Sequence, residues 1–411
     1  MFSKHDVEIL RKVALQVKEA AARDNSQEKI AFWTRHTALK GERPAIQVYP
    51  IDTYWEMPEM TLECEDPYAR EVEHQLRRVV FHSRYIPDDM PILDTVTVDK
   101  AYTNTMWGAK PKQEYTGGTG RGAYKHVPII EDPDDWGKLS KPVITYQPEQ
   151  TKERWESVGE AIGHILTPQL EGERRFHIHF MNWYCAYRGL DNMLYDLYDE
   201  PEMVHDVMKF FTEGSISMYR QLEEQNLISL NNNMAFHYTG GIGFNEELPG
   251  EDFDPNHVKL KNCWGAAEAQ ETDVVSPEMH EEFVLQYERQ VLELFGLNGY
   301  GCCDNLAKKL DNVLKIKNLR RVAVCPWADT GEFLPVLKDR YIMTWKPQPS
   351  YLSMAEFGRE AIEQELSSGI RKARGGRLEL ILRDLTSVRG DPERITQWVQ
   401  IARKAIAENW Y

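Results

Sequence analysis

Asn298-Gly299-Tyr300-Gly301-Cys302-Cys303-Asp304-Asn305-Leu306 reads as a strand giving way to a loop. Upstream, Ser276-Pro277-Glu278 opens a helix, with Ser as N-cap and Pro in the first turn. That helix runs to about Leu294 and feeds the strand through Leu294-Phe295-Gly296-Leu297. Helix, strand and loop in this order form one unit of an alternating α/β fold. The loop carries two adjacent thiols and a carboxylate. Neighbours on a regular strand point to opposite faces, so both thiols enter one pocket only if the strand ends before them. The competing reading is a buried pair of small apolar side chains, because free Cys is among the most buried residue types.

The same alternation extends in both directions. Short apolar or β-branched runs centre on residues 46, 93, 176, 228, 298, 322, 342 and 379. Helical spacing of apolar residues covers 4–40, 67–85 and 189–224, and Asp391-Pro392 opens a closing helix to about Asn409. About eight strands with helices between most of them predict a (β/α)8 barrel rather than an open sheet. We expect one domain over 1–411, with 1–90 as an N-terminal helical elaboration and 99–142 as a loop or lid. The stretch Tyr115-Thr116-Gly117-Gly118-Thr119-Gly120-Arg121-Gly122 lies in that lid. No strand leads cleanly into it and no Lys-Ser/Thr follows, so it lacks the parts of a phosphate cradle.

The chain has 411 residues, 42% hydrophobic and 28% charged, with a net charge of −16. That is ordinary globular composition. The acidic balance argues against nucleic-acid and anionic-membrane partners, since no basic surplus is present to neutralise phosphates. The six cysteines, at 64, 185, 263, 302, 303 and 325, form no CxxC. Reduced thiols in a cytoplasm are expected. No apolar signal segment follows Met1, and no run approaches the roughly 18 apolar residues of a membrane span.

In a barrel of this kind the active site lies at the C-terminal ends of the strands. That rule selects Glu268, Asp304 and Asp384 as candidate acids. Asn231, Asn233, Lys346 and Arg383 become candidate substrate contacts, with Trp183, Trp264 and Trp327 as aromatic walls for a flat or apolar ligand. Lys346 and Arg383 are either anion anchors or partners for Asp329 and Asp384. Cys302, Cys303 and Cys325 fall on strand ends of one face, and with His237 they make a candidate zinc site. Cys325 also reads as a core thiol before a Pro-Trp turn, and His237 as a loop histidine satisfied by backbone. His177 and His179 share one strand face and read as structural.

Arg188-Gly189-Leu190-Asp191-Asn192-Met193-Leu194-Tyr195-Asp196-Leu197-Tyr198-Asp199-Glu200-Pro201-Glu202 resembles a helix motif of the uroporphyrinogen decarboxylase superfamily. Trp264 to Gln270, followed by Ser276-Pro277-Glu278-Met279, resembles that superfamily's acidic loop and following helix. The resemblance covers roughly 160–411 and implies a (β/α)8 barrel of the uroporphyrinogen decarboxylase type. The arginine-bearing N-terminal element of the true decarboxylases has no counterpart in Ile46-Gln47-Val48-Tyr49-Pro50-Ile51-Asp52, so haem-pathway decarboxylation is not expected. The other large branch comprises cobalamin-dependent methyltransferases, and it is the expected relation. It implies demethylation of a small methylated donor, a methoxyaromatic or methylamine, with the methyl group passing to a corrinoid on a partner protein. It also implies zinc, although the His that the family carries two residues before its Cys is absent here. A homodimer is compatible with this picture. The alternative is a metal-independent decarboxylase or lyase on a small aromatic acid, with Asp384 or Asp304 as proton donor and Lys346 or Arg383 holding the carboxylate. A corrinoid carrier is disfavoured, because no D-x-H-x-x-G motif is present.

Overall fold

The computed structural model describes residues 1–115 and 124–411, so the glycine-rich stretch from Thr116 to Gly122 lies outside the described residues. Seven parallel strands form the central sheet: β1 (Ala45–Val48), β2 (His177–Ile178), β3 (Trp264–Ala267), β4 (Leu297–Tyr300), β5 (Leu319–Val324), β6 (Ile342–Trp345) and β7 (Arg377–Leu382). Their order is β1-β7-β6-β5-β4-β3-β2. The first strand pairs with the last, and every other neighbour is consecutive. That cyclic order is consistent with a barrel-like fold rather than a doubly wound sheet, whose order reverses in the middle. Most of these strands are buried along their whole length, as parallel strands covered by helices are.

Among the described residues, no strand pairing joins β1 to β2. The gap is bridged by aromatic contacts from the segment after residue 231. Phe236 lies 4.1 Å from the Tyr49 ring beyond β1, and Tyr238 stacks on His177 of β2 at 3.9 Å. The run at 228 was expected as a strand, but it makes only an isolated parallel bridge, Glu173 to Ile228. Asn231 is the reason. Its side-chain oxygen accepts from Trp264 N at 2.8 Å and its Nδ2 donates to Trp264 O at 2.9 Å. A side-chain amide thus does for β3 what a neighbouring strand's backbone would do. Conversely β3, read from sequence as a loop, is a strand.

The run at 93 also departs from expectation. Thr95–Asp99 pairs with Thr167–Glu171 in a separate two-stranded parallel sheet. Its Thr-Val alternation matches burial on one face only. Around this small sheet pack Leu10, Val13 and Val17 of helix Lys4–Arg23, Val72 and Leu76 of helix Pro67–Tyr85, and Val158 and Ile162 of helix Pro148–Ile162. The N-terminal elaboration therefore draws in residues beyond 90. The expected helix over 4–40 is broken after Arg23. Asp24 takes an extended backbone, and its carboxylate binds Lys29 and Ile92 N, which ends the first helix.

Side chains alternate across the central strands. Trp345 packs outward against Gly369 of helix Arg359–Lys372, within the main core. Thr344 turns the other way and donates to Glu379 at 2.7 Å. Residues 237–242 fill the inside. Gly241 (φ +71°) passes so close that a Cβ there would stand 2.8 Å from both Arg321 and Glu379.

Candidate functional site

The C-terminal ends of β2, β3, β4, β6 and β7 bring one cluster together. His177 lies in β2, and His179 follows at i+2, so both rings share a strand face. Their Nδ1 atoms are 3.0 Å apart, a distance at which only one can carry the proton. Glu268 follows β3, its backbone N donating to Ile178 O at 3.0 Å. One carboxylate oxygen accepts from Gln270 N at 3.0 Å; the other lies 4.0 Å from His177 Nε2. That His177 Nε2 is buried and has no hydrogen-bond partner. His177, His179 and Glu268 form a group whose donor atoms all lie within 4.8 Å of one another. The His177 ring stacks on Tyr238, and the His179 ring meets Trp183 edge-on at 4.7 Å.

The β4 end supplies sulfur. Gly301 takes φ +91°, a left-handed conformation that ends the strand before the thiols. Cys302 Sγ and Cys303 Sγ stand 3.6 Å apart. Cys302 is buried; Cys303 is partly exposed, with its Sγ 3.9 Å from Asp384 Oδ2. Asp384 holds φ 57°, an uncommon conformation for a side-chain-bearing residue, right after β7. Lys346 Nζ donates to Cys302 O at 2.8 Å. Arg383 donates to Tyr238 O at 2.9 Å and pairs with Asp384 at 3.2 Å.

Protonation follows from this geometry. Burial holds both histidines neutral, His177 well below the ordinary value and His179 down to about 4. Burial, together with the charges of Glu271 and Cys302, pushes Glu268 well above the usual carboxyl range. Burial raises Asp304 and Glu271 as well. The hydrogen bond from Cys303, helped by Lys346 and Arg383 against burial, pulls Cys302 well below an ordinary thiol, while Cys303 moves up. The mouth thus offers two neutral imidazoles, a carboxylic acid and a thiolate. Two neutral imidazoles and one carboxyl, with an unpartnered Nε2 between them, fit a zinc-type ion, whose binding would displace the Glu268 proton.

The other sequence-selected residues separate into groups. Asp304 lies behind the thiols, accepting from Cys302 N at 3.1 Å. Trp183 lines the mouth. Trp264 and Asn231 belong to the interior, where Trp264 Nε1 donates to Gly243 O at 3.1 Å. Asn233 braces its own turn, accepting from Ala235 N. Trp327 is 59% exposed at the end of β5. Of the four residues expected to hold zinc, His237 accepts at Nδ1 from Arg321 and donates from Nε2 to Asn231 O at 3.1 Å. Cys325 is fully buried, and burial raises its thiol to about 11. Among the described residues, only His177, His179 and Glu268 form a metal-capable group of three. From the sequence alone those two histidines read as structural. The available signal was their i, i+2 spacing on a strand that ends at the barrel mouth. Glu271 and Asn182, joined at 2.8 Å beside Glu268, and Tyr238 carried no comparable signal.

No family model matches the chain. No curated protein matches it either. A solved methyltransferase from Methanosarcina mazei is similar over 90% of this chain and 97% of its own, at 10% sequence identity and a TM-score of 0.49. No helix among the described residues is long and apolar enough to cross a membrane.

Proposed function

We propose that the chain is a methyltransferase that demethylates a small methoxyaromatic or methylamine and passes the methyl group to a corrinoid held by a partner protein. The observation that carries this reading is the convergence of His177, His179 and Glu268 at the mouth, with the Cys302 sulfur close to Glu268. The motifs over 188–202 and 264–279 support the same assignment by resemblance. An alkoxide, phenoxide or amide anion is a poor leaving group, so charge on the departing heteroatom must be neutralised as it develops. Glu268, held protonated by burial, donates that proton. Tyr238 and Trp183 give a flat donor an aromatic wall. A zinc ion held by His177, His179 and Glu268 would take the place of that proton, since binding deprotonates Glu268, and would instead supply Lewis acidity to the same heteroatom. The decarboxylase alternative needs Lys346 or Arg383 free to hold a carboxylate, but both are engaged, on Cys302 O and on Tyr238 O with Asp384.

The test couples metal analysis to turnover. Protein purified without a histidine tag is assayed for zinc, then offered methoxyaromatics and methylamines with a cobalt(I) corrinoid, and the corrinoid spectrum is followed. Methylcobalt formation that needs this chain and weakens in Glu268→Gln supports the reading. Failure of every donor, while aromatic acids lose carbon dioxide, would replace it with the decarboxylase.

A further inference from the structure

We infer that Cys302 and Cys303 form a chelating dithiol site for a trivalent organoarsenical, with donor atoms other than those of the imidazole–carboxylate group it adjoins. Consecutive residues rarely present both side chains to one space; here Gly301 at φ +91° ends β4 and permits it. The sulfurs stand 3.6 Å apart. A disulfide would require them to close to about 2.05 Å. A single soft atom between them needs little movement, since two thiolates about 2.3 Å from one tetrahedral centre are roughly 3.7 Å apart. Thiolates select soft elements.

The donor count decides which soft element fits. Zinc in a structural site wants four protein donors, and among the described residues the two thiols belong to no metal-capable group of three. A trivalent arsenic atom carrying one organic substituent needs two sulfurs, and its lone pair occupies the remaining direction. Access is provided by Cys303, which is partly exposed, while Cys64, Cys185, Cys263 and Cys325 are buried singly. Asp384 Oδ2, 3.9 Å from Cys303 Sγ, is placed to take the thiol proton.

The reaction is a condensation without redox change. A hydrated organoarsenic(III) oxide loses two As–O bonds and gains two As–S bonds. The Cys303 thiol proton and one proton from solvent leave with the two hydroxyls as two water molecules, and arsenic stays trivalent.

Phenylarsine oxide is the probe, used on the full chain under reducing conditions with intact-mass readout. One arsenical per chain is expected, retained in a large excess of 2-mercaptoethanol and released by 2,3-dimercaptopropanol. Cys303→Ser, with folding checked by circular dichroism, should lose resistance to the monothiol by at least 10-fold. In the unmodified chain, bound arsenical should protect both Cys302 and Cys303 from iodoacetamide, as read by peptide mass. Release by the monothiol as readily as by the dithiol would overturn the inference, as would alkylation of either thiol in the complex.

Discussion

Two buried polar clusters lie within the same sheet, and they are built on opposite terms. Inside, Arg321 and Glu379 pair at 3.1 Å with both side chains fully buried. Thr344 and His36 complete the Glu379 carboxylate, Ile242 O accepts from Arg321 at 2.8 Å, and the guanidinium lies 4.7 Å over Trp264. Burial pushes Glu379 up, but Arg321 and His36 hold it below the usual range. Charge meets charge there. At the mouth, Glu268, Glu271 and Asp304 crowd together, all raised, beside two histidines held neutral. Burial without a cationic partner at Glu268 is a cost to the fold, and perturbed groups of this kind make the mouth the candidate functional site. Histidine plus carboxylate alone does not separate the clusters, since both have them. Charge balance does.

The largest effect that tests this contrast is on turnover. Glu268→Gln should lower methyl transfer by about 10²–10⁴-fold, the usual worth of a positioned general acid. Its melting temperature should not fall, because the lost carboxyl has no cationic partner. Initial rates and a thermal melt on one preparation read both, and a normal rate would end the catalytic role. Arg321→Met should do the reverse. It leaves Glu379 buried without its guanidinium, held only by His36 and Thr344, a change that costs about 3–5 kcal/mol of stability. Urea unfolding should show that loss, while the rate per folded molecule holds.

If zinc binds as proposed, His179→Ala should weaken it, in a zinc titration, by more than the roughly 10–100-fold lost with an outer-shell partner. The same ring sets a pH signature. Its folded value is about 4 against an ordinary 6.5, so the unfolded chain takes the proton first. Stability is full above about pH 6.5 and declines as pH falls toward 4; His179→Gln should flatten that slope in denaturation curves taken across the window. The smallest expected effect is from Tyr238→Leu. Loss of the ring stacked on His177 should cost about 0.5–1.5 kcal/mol, and an unchanged melt would show that the aromatic bridge between β1 and β2 is dispensable.

Much of the architecture was legible because it rests on local patterns. Apolar runs at 298, 322, 342 and 379 are strands because little but a buried parallel strand suits them. The same runs set the strand ends, which placed Cys302, Lys346 and Arg383 at one mouth. The errors came where a side chain substituted for backbone. Asn231 supplies by its amide the ladder bonds that a strand at 228 would have made, and Thr-Val alternation at 95–98 was read as a central strand although it marks a half-buried one.

The sequence by itself determined the alternation of helices and strands and that the Cys302-Cys303 pair stands where a strand gives way to a loop, since these follow from periodicity and backbone preference within a few residues. Only the tertiary structure decided what those groups are. His177 and His237 are both buried imidazoles near strand ends. One is left with an open Nε2 beside an unpaired acid, and the other is consumed by Arg321 and Asn231 O. The difference lies in partners distant along the chain: Tyr238 and Glu268 for the first, and Arg321, 84 residues away, for the second, across strands whose meeting no local pattern encodes.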